Sequence, residues 1–179
     1  MRLKRWRKLA ILHVLKVKND TYLDLYREIL YVARYEIRVP NYVVGFNVTP
    51  QSVIEEMTRV KMCYGDNLGN QFYHLVISLE QSEKKHANLN KLVLLAQLLG
   101  VYLCDNYSLG RTQVLLAMHR DTDKDHFHAI INNMDLNTCR RLNIDKKTLY
   151  TIKKDISVIL QSCGYNPVRY FQEDKSKNE

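Results

Sequence analysis

Three histidines and three aspartates fall within one short segment, His119-Arg120-Asp121-Thr122-Asp123-Lys124-Asp125-His126-Phe127-His128. On an extended chain, residues two apart point to the same side, so His126 and His128 project together while Phe127 and Ala129 face the other way. TQVLLAMH (112–119) and HFHAIINN (126–133) both read as strands. The polar segment 120–125 between them is short, which predicts an antiparallel hairpin. That hairpin carries His119 to the end of the partner strand, beside the His-x-His pair. Three neutral imidazoles can then converge about 2 Å from one divalent cation and leave coordination positions open to a substrate. Asp121, Asp123 and Asp125 surround such a site, to orient an imidazole or to supply an oxygen ligand.

The elements around this hairpin follow from local patterning. LAILHVLKV (9–17) predicts a buried strand. Asp20-Thr21 is a helix N-cap signal, and Leu23, Tyr26, Ile29 and Leu30 have helical spacing, so a helix is expected over 21–36, broken by Pro40 and Asn41. Thr49-Pro50 starts a second helix with an apolar face of Val53, Ile54, Met57 and Val60, and Gly65 lies just past its end. QFYHLVISL (71–79) reads as a strand, 80–86 as a polar connection and 87–107 as a long helix kinked or interrupted at Gly100. Gly110 has the look of a helix-terminating glycine. Residues 145–163 give a last amphipathic helix (Leu149, Ile152, Ile156, Ile159, Leu160), stopped by Gly164. Helices alternating with strands joined by a hairpin predict an α+β fold with a central antiparallel sheet flanked by helices. The expected organisation is a basic N-terminal arm over 1–8, one domain over 9–170 and a disordered tail over 171–179.

Bulk properties narrow the function classes. The chain has 179 residues, 46% of them hydrophobic and 26% charged, which suits one soluble globular domain. No apolar run approaches the roughly 18 residues of a membrane span, and the start MRLKRWRK lacks the apolar core and cleavage site of a signal peptide. No membrane insertion and a cytoplasmic location are expected. Cys63, Cys104, Cys139 and Cys163 form no CxxC pair, so they read as buried or half-buried thiols rather than a zinc knot or disulfide framework. The net charge is +8, which favours a polyanionic partner. The first twenty residues carry seven Lys or Arg against one Asp. Arg2, Lys4, Arg5, Arg7 and Lys8 suit backbone phosphates, and Trp6 among them suits stacking on a base.

The hairpin segment HRDTDKDHFHAIINN resembles the third motif of the relaxase/mobilisation nuclease family, the MOBP-type HUH single-strand DNA endonucleases, whose pattern is H-x-D-x-x-x-x-H-x-H-x-x-x-N. YGDNLGNQFYHLVISLE resembles the second motif, a strand ending in Ser78. LDLYREILYVARYE resembles the first, a helix bearing a nucleophilic tyrosine. MDLNTCRRL resembles the stretch after the histidines, with Thr138-Cys139-Arg140 where the family usually has Thr-Gly-Lys. The likeness runs from about residue 9 to residue 165.

The resemblance implies an HUH-endonuclease-like fold and a metal-dependent, site- and strand-specific nick in DNA at an origin of transfer. A tyrosine would form a covalent 5′-phosphotyrosine, initiating conjugative transfer or mobilisation of a plasmid or integrative element. The first motif, I-x-Y-[IV], falls on Tyr31, with Tyr22, Tyr26, Tyr35 and Tyr42 nearby; Tyr26 shares the Leu23/Leu30 face and is expected to pack in the core. By the same resemblance Tyr31 and Asp121 are catalytic, and His119, His126 and His128 hold a divalent ion, Mg²⁺ or Mn²⁺ in use and Zn²⁺ or Ni²⁺ as isolated. Ser78, Arg120, Asn132, Arg140 and Arg141 would contact DNA, Asn132 from the same strand face as the His-x-His pair. Arg111, Arg120, Arg140 and Arg141 are expected to flank the site. The implied partners are single-stranded DNA at the origin (its hairpin and nick-site strand), relaxosome accessory proteins and a coupling protein. Two alternatives remain open: a rolling-circle replication initiator or transposase of the same superfamily, and a non-catalytic DNA-binding module with a structural metal. His74 alternates with Phe72 on its strand, where it could approach the site or sit as a satisfied core histidine.

Overall fold

The structure is a computed structural model and describes residues 9–15, 21–34, 42–65, 69–84, 88–106 and 110–169. The expected basic arm and tail, and with them Arg2, Lys4, Arg5, Trp6, Arg7 and Lys8, lie outside the described residues, as do Tyr35, Pro40 and Asn41.

The elements run β1 (Ile11–Val14), α1 (Tyr22–Ala33), β2 (Tyr42–Phe46), α2 (Val53–Cys63), β3 (Phe72–Ser78), α3 (Gln81–Lys84), α4 (Leu89–Cys104), β4 (Asp105–Asn106), β5 (Gly110–Arg111), β6 (Val114–His119), β7 (His126–Asn132), β8 (Met134–Asp135), β9 (Arg140–Arg141) and α5 (Lys146–Ser162). Five strands form an antiparallel sheet in the order β1-β3-β7-β6-β2. Side-chain alternation divides that sheet into two faces. Leu75, Ile77, Leu116, Met118, Phe127, Ala129 and Ile131 join Leu92, Leu95 and Leu99 of α4 and Ile152, Ile156 and Leu160 of α5 in one core. Phe72, Leu115, Ala117 and Ile130 face the other way and join Leu25, Ile29 and Val32 of α1 with Val53 and Met57 of α2. Full burial of each such aliphatic side chain stabilises the fold by roughly 1.5–3 kcal/mol, so the sheet is a rigid platform clamped from both sides. The α+β expectation agrees with this three-layer arrangement.

Several local expectations give way. The strand over 9–17 is shorter and is an edge strand: Leu12 is buried but His13 is exposed. Helix α1 buries Leu25, Ile29, Val32 and Ala33, while Leu23, Tyr26 and Leu30 face outward. Both sets have helical spacing, and the sheet selects the more continuous aliphatic one. The helix ends at Ala33, before Pro40, because Arg34 turns left-handed at φ 46°. Strand β2 was not anticipated; it adds to the sheet edge along β6. Short α3 occupies the stretch expected to be a plain polar connection. Gly100 neither interrupts nor ends α4: Phe46 of β2 packs on it so closely that a Cβ there would lie 1.9 Å from the ring. Gly110 sits in β5 at φ 82°, pairing back to β4, and does not terminate the helix. Cys104 and Cys163 are buried, whereas Cys63 and Cys139 are exposed.

Candidate metal centre

The hairpin of β6 and β7 forms as expected, and its register sets His119 opposite His126 and Ala117 opposite His128. The small Ala117 leaves room for the imidazole beside it. All three histidines emerge on the sheet face covered by α1 and α2. Their ring centroids are 4.5 Å apart for His119 and His128, 5.0 Å for His126 and His128, and 5.3 Å for His119 and His126. One ligand atom from each lies within 4.8 Å of the others, close enough to share an ion.

The hydrogen bonds fix which nitrogen of each ring is free. A carbonyl oxygen can only accept, so a ring nitrogen facing one must be the N–H. His119 Nε2–H donates to the carbonyl of Val32 at 2.7 Å, and its buried Nδ1 has no hydrogen-bond partner. His126 Nδ1–H donates to the carbonyl of Lys124 at 3.0 Å, which leaves Nε2 bare. His128 Nδ1 lies 2.7 Å from His74 Nε2, and its buried Nε2 has no partner. His74 Nδ1 meets Glu28 Oε1 at 2.6 Å. His119, His126 and His128 therefore each have one nitrogen engaged and one available. Orphaned buried nitrogens are costly, and a cation is what would satisfy three converging lone pairs. Burial also favours the neutral form of His128 and His119: it pushes the His128 pKa down to about 2, with His74, His119 and His126 adding repulsion, and it lowers that of His119. Neutral imidazole is the metal-binding form.

The orienting groups differ from those expected. Among the described residues none of the three aspartates of the turn hydrogen-bonds an imidazole. Asp121 pairs with Arg34, whose hydrogen bond keeps its carboxylate below the usual range. Asp123 is exposed, and Asp125 is buried, with Arg120 Nε donating to it at 3.1 Å. The carbonyls of Val32 and Lys124 do the work instead. Such groups leave no mark in the sequence, since every residue has one. His74 is fully satisfied and also touches the cluster, joining both earlier readings of it.

Helix α1 closes one side. The Tyr31 ring meets His128 edge-on, 5.9 Å between centroids and 88° between planes, with Tyr31 itself 53% exposed. Tyr26, expected to be in the core, is exposed, as is Tyr22. Arg34 is held charged chiefly by Asp121 and in smaller part by the hydroxyl of Tyr31. On the other side, Ser78 pairs with His126 across the β3–β7 register, and Ser78, Thr122, Asp123, Lys124 and His126 line an open cleft of about 400 Å³. Lys84 of α3 donates to the carbonyl of Arg120 at 3.0 Å and fastens the hairpin turn.

Other expected DNA contacts lie elsewhere. Asn132 shares the histidine face but is wholly buried; its amide donates to Met57 O at 3.2 Å and Gln113 Oε1 at 2.8 Å, so it offers DNA no surface. Arg111, Arg140 and Arg141 adjoin the opposite end of the hairpin strands from the histidines, about 20 Å along β7 at the usual rise per residue. They do not flank the cluster; Arg120 does.

Comparison with known proteins converges on one family. Residues 31–164 match the family described as Relaxase: MobA/VirD2-like, nuclease domain. Protein rlx of Staphylococcus aureus is 31% identical over 91 residues, a match that spans 51% of this chain and 25% of that protein. The fold resembles the MobM relaxase domain, solved with manganese and bound to plasmid pMV158 oriT DNA, with a TM-score of 0.68 at 11% identity over 96% of this chain and 94% of that one. It also resembles the conjugative relaxase TrwC, solved in complex with oriT DNA, with a TM-score of 0.51 at 14% identity over 92% of this chain and 73% of that one. At these identities the structural likenesses concern the fold.

Proposed function

This chain belongs to the relaxase family, as a MobA/VirD2-like nuclease domain, and from that premise we propose that it nicks one DNA strand at an origin of transfer and later reseals or transfers it, with Tyr31 as nucleophile. The observation that carries this reading is the exposed Tyr31 ring set against His128, within a cluster of three imidazoles that each offer a ligand atom within 4.8 Å of the others. Among the described tyrosines of α1, Tyr26 and Tyr22 lie more than one turn further from that cluster along the helix.

In the proposed step the Tyr31 oxygen attacks the scissile phosphorus in line. The Tyr–O–P bond forms as the P–O3′ bond breaks. The phenolic proton is lost, the 3′ oxygen takes up a proton, and the products are a 5′-phosphotyrosine and a free 3′-hydroxyl. The ester conserves the bond energy, so a 3′-hydroxyl can reverse the reaction. A divalent ion held by His119, His126 and His128, magnesium or manganese, would withdraw charge from the non-bridging phosphate oxygens. The chain contributes the rest. Arg34 sets a fixed positive charge beside the Tyr31 hydroxyl, where negative charge develops as the proton leaves. Asp121 holds that guanidinium in place, a positioning role rather than that of a ligand. Ser78 and Lys124, in the cleft beside His126, suit the sugar-phosphate backbone of the nick-site strand. The basic residues of 1–8, with Trp6, would grip flanking DNA.

Accessory proteins and a coupling protein would complete the assembly in the cytoplasm; among the described residues no helix is long and apolar enough to cross a membrane. The test is incubation of a fluorescent single-stranded origin oligonucleotide with protein and Mn²⁺. A covalent adduct that migrates with the protein is expected, and it disappears in Tyr31→Phe. An unchanged adduct in that variant would reassign the nucleophile, and cleavage without any adduct would refute the tyrosine chemistry.

A further inference from the structure

We infer that Glu28, acting through His74, is a positioning residue that holds His128 in the tautomer whose Nε2 lone pair faces the other two imidazoles. The purpose of this relay rests on the proposed metal centre; its existence rests on contacts alone. Glu28 and His74 approach to 2.6 Å, and His74 and His128 to 2.7 Å. The His74 side chain is wholly enclosed and that of Glu28 is 15% exposed. A carboxylate accepts, so His74 donates from Nδ1 to Glu28 and, with that nitrogen as its one N–H, accepts at Nε2 from His128 Nδ1–H. That arrangement leaves the Nε2 of His128 unprotonated. That nitrogen is the one found buried without a partner.

His119 and His126 obtain the same result from backbone carbonyls, which no substitution removes. His128 alone depends on side chains. A relay of two side chains ending in a carboxylate is more than an isolated buried imidazole needs, since a single acceptor would satisfy it. Its direction matters only if the far nitrogen must stay bare. Glu28 also lies three residues before Tyr31, one turn away on the same side of α1. The contact that sets the ligand therefore anchors the turn that carries the proposed nucleophile.

The experiment uses the full chain, first without metal. Long-range ¹⁵N–¹H spectra of the imidazoles report which nitrogen of His128 bears the proton. Nδ1–H is expected in the wild type. Glu28→Met, which keeps length and helix propensity but removes the acceptor, should give a mixed or Nε2–H population. It should also bind Mn²⁺ about ten- to a hundredfold more weakly by calorimetry. Glu28→Gln keeps an accepting oxygen and should restore the Nδ1–H form and most of the affinity; it also serves if the methionine variant fails to fold. A His128 tautomer unchanged in Glu28→Met overturns the inference even if affinity falls, because lost charge alone would explain that fall. An unchanged Mn²⁺ affinity overturns it as well. A wild type that binds no Mn²⁺ would sink the metal reading instead, and the imidazole spectra would still decide whether Glu28 sets the tautomer.

Discussion

The Nε2–H of His119 donates to the carbonyl oxygen of Val32 across 2.7 Å, and Val32 is the neighbour of Tyr31 in the last turn of α1. Carbonyls in the last turn of a helix have no intrahelical partner, so this one is free to orient an imidazole. The carboxyl end of α1, where the helix dipole is negative, faces the cluster and favours a cation there by about 0.3–1 kcal/mol. Helix α1 thus holds His119 directly through Val32 and reaches His128 through Glu28 and the intervening His74. Helix α1 and the histidine cluster are one mechanical unit, so disturbance of either should be felt at the other.

Metal binding should stabilise the fold measurably. A ligand at a hundred times its dissociation constant adds about 2.7 kcal/mol, which for a domain of this size raises Tm by about 5–10 °C at the usual 2–4 °C per kcal/mol. Differential scanning fluorimetry with Mn²⁺ against EDTA checks this. His126→Ala should abolish the Mn²⁺ shift and nicking together, with little change in the Tm measured in EDTA, because His126 is the least enclosed of the three. A full Mn²⁺ shift in that variant would exclude His126 as a ligand.

The metal-free protein should lose stability in mild acid. Burial lowers the pKa of His128 to about 2 and lowers that of His119 as well, whereas both titrate near 6.5 in an unfolded chain. Below about pH 6.5 the unfolded state binds more protons, so ∂ΔG/∂pH is positive and stability falls as pH falls. Above about pH 7 both states hold neutral rings and this contribution is flat. Thermal unfolding in EDTA at pH 8, 6.5 and 5 should give a Tm that is level over the first step and falls over the second. A Tm that holds steady down to pH 5 would mean the rings are not buried as described.

Asn132→Ala should behave as a core mutation and not as a DNA-contact mutation. Losing its amide removes the donor to Gln113 Oε1 and the side-chain contact to the Met57 carbonyl, at a cost of about 1–3 kcal/mol. Chemical denaturation should show that loss, while DNA affinity per folded molecule stays within error of the wild type. Weakened binding at unchanged stability would return Asn132 to the DNA surface.

The sequence carried the hairpin because its signals are local: two strand-like runs, a short polar turn and a His-x-His pair whose parity assigns the face. The same parity put Asn132 on the histidine face, but parity does not report depth, and α2 covers that end through Met57. The outward Leu23, Tyr26 and Leu30 show the matching limit for helices, since two apolar stripes on α1 had helical spacing and only packing against Leu115, Ala117 and Ile130 chooses between them. The orienting shell was out of reach for a different reason. Two of its members are backbone carbonyls with no residue signature, and the third, Glu28, reaches His74 from 46 positions away. Glycine signals were ambiguous in the same way: Gly100 answers to the Phe46 ring in β2, a strand that local patterning did not disclose.

Arg34→Gly should separate stability from activity. Arg34 closes α1 with φ 46° and ψ 46°, a conformation that costs a side-chain-bearing residue roughly 1–2 kcal/mol and glycine almost nothing. Against that relief stands the lost pair with Asp121, whose side chains are 18% and 32% exposed, and a partly exposed pair contributes at most about 1 kcal/mol. The balance predicts a Tm equal to or slightly above that of the wild type. Activity should move the other way. Removing the fixed charge beside the Tyr31 hydroxyl leaves the phenolate that develops during attack without a nearby cation, and loss of one such group typically slows a reaction about a hundredfold or more. Single-turnover nicking at saturating Mn²⁺ reads the rate, and Arg34→Lys, which returns the charge without the planar fork, should recover part of it. A variant that is destabilised yet nicks at full rate per folded molecule would make Arg34 a helix cap and nothing more.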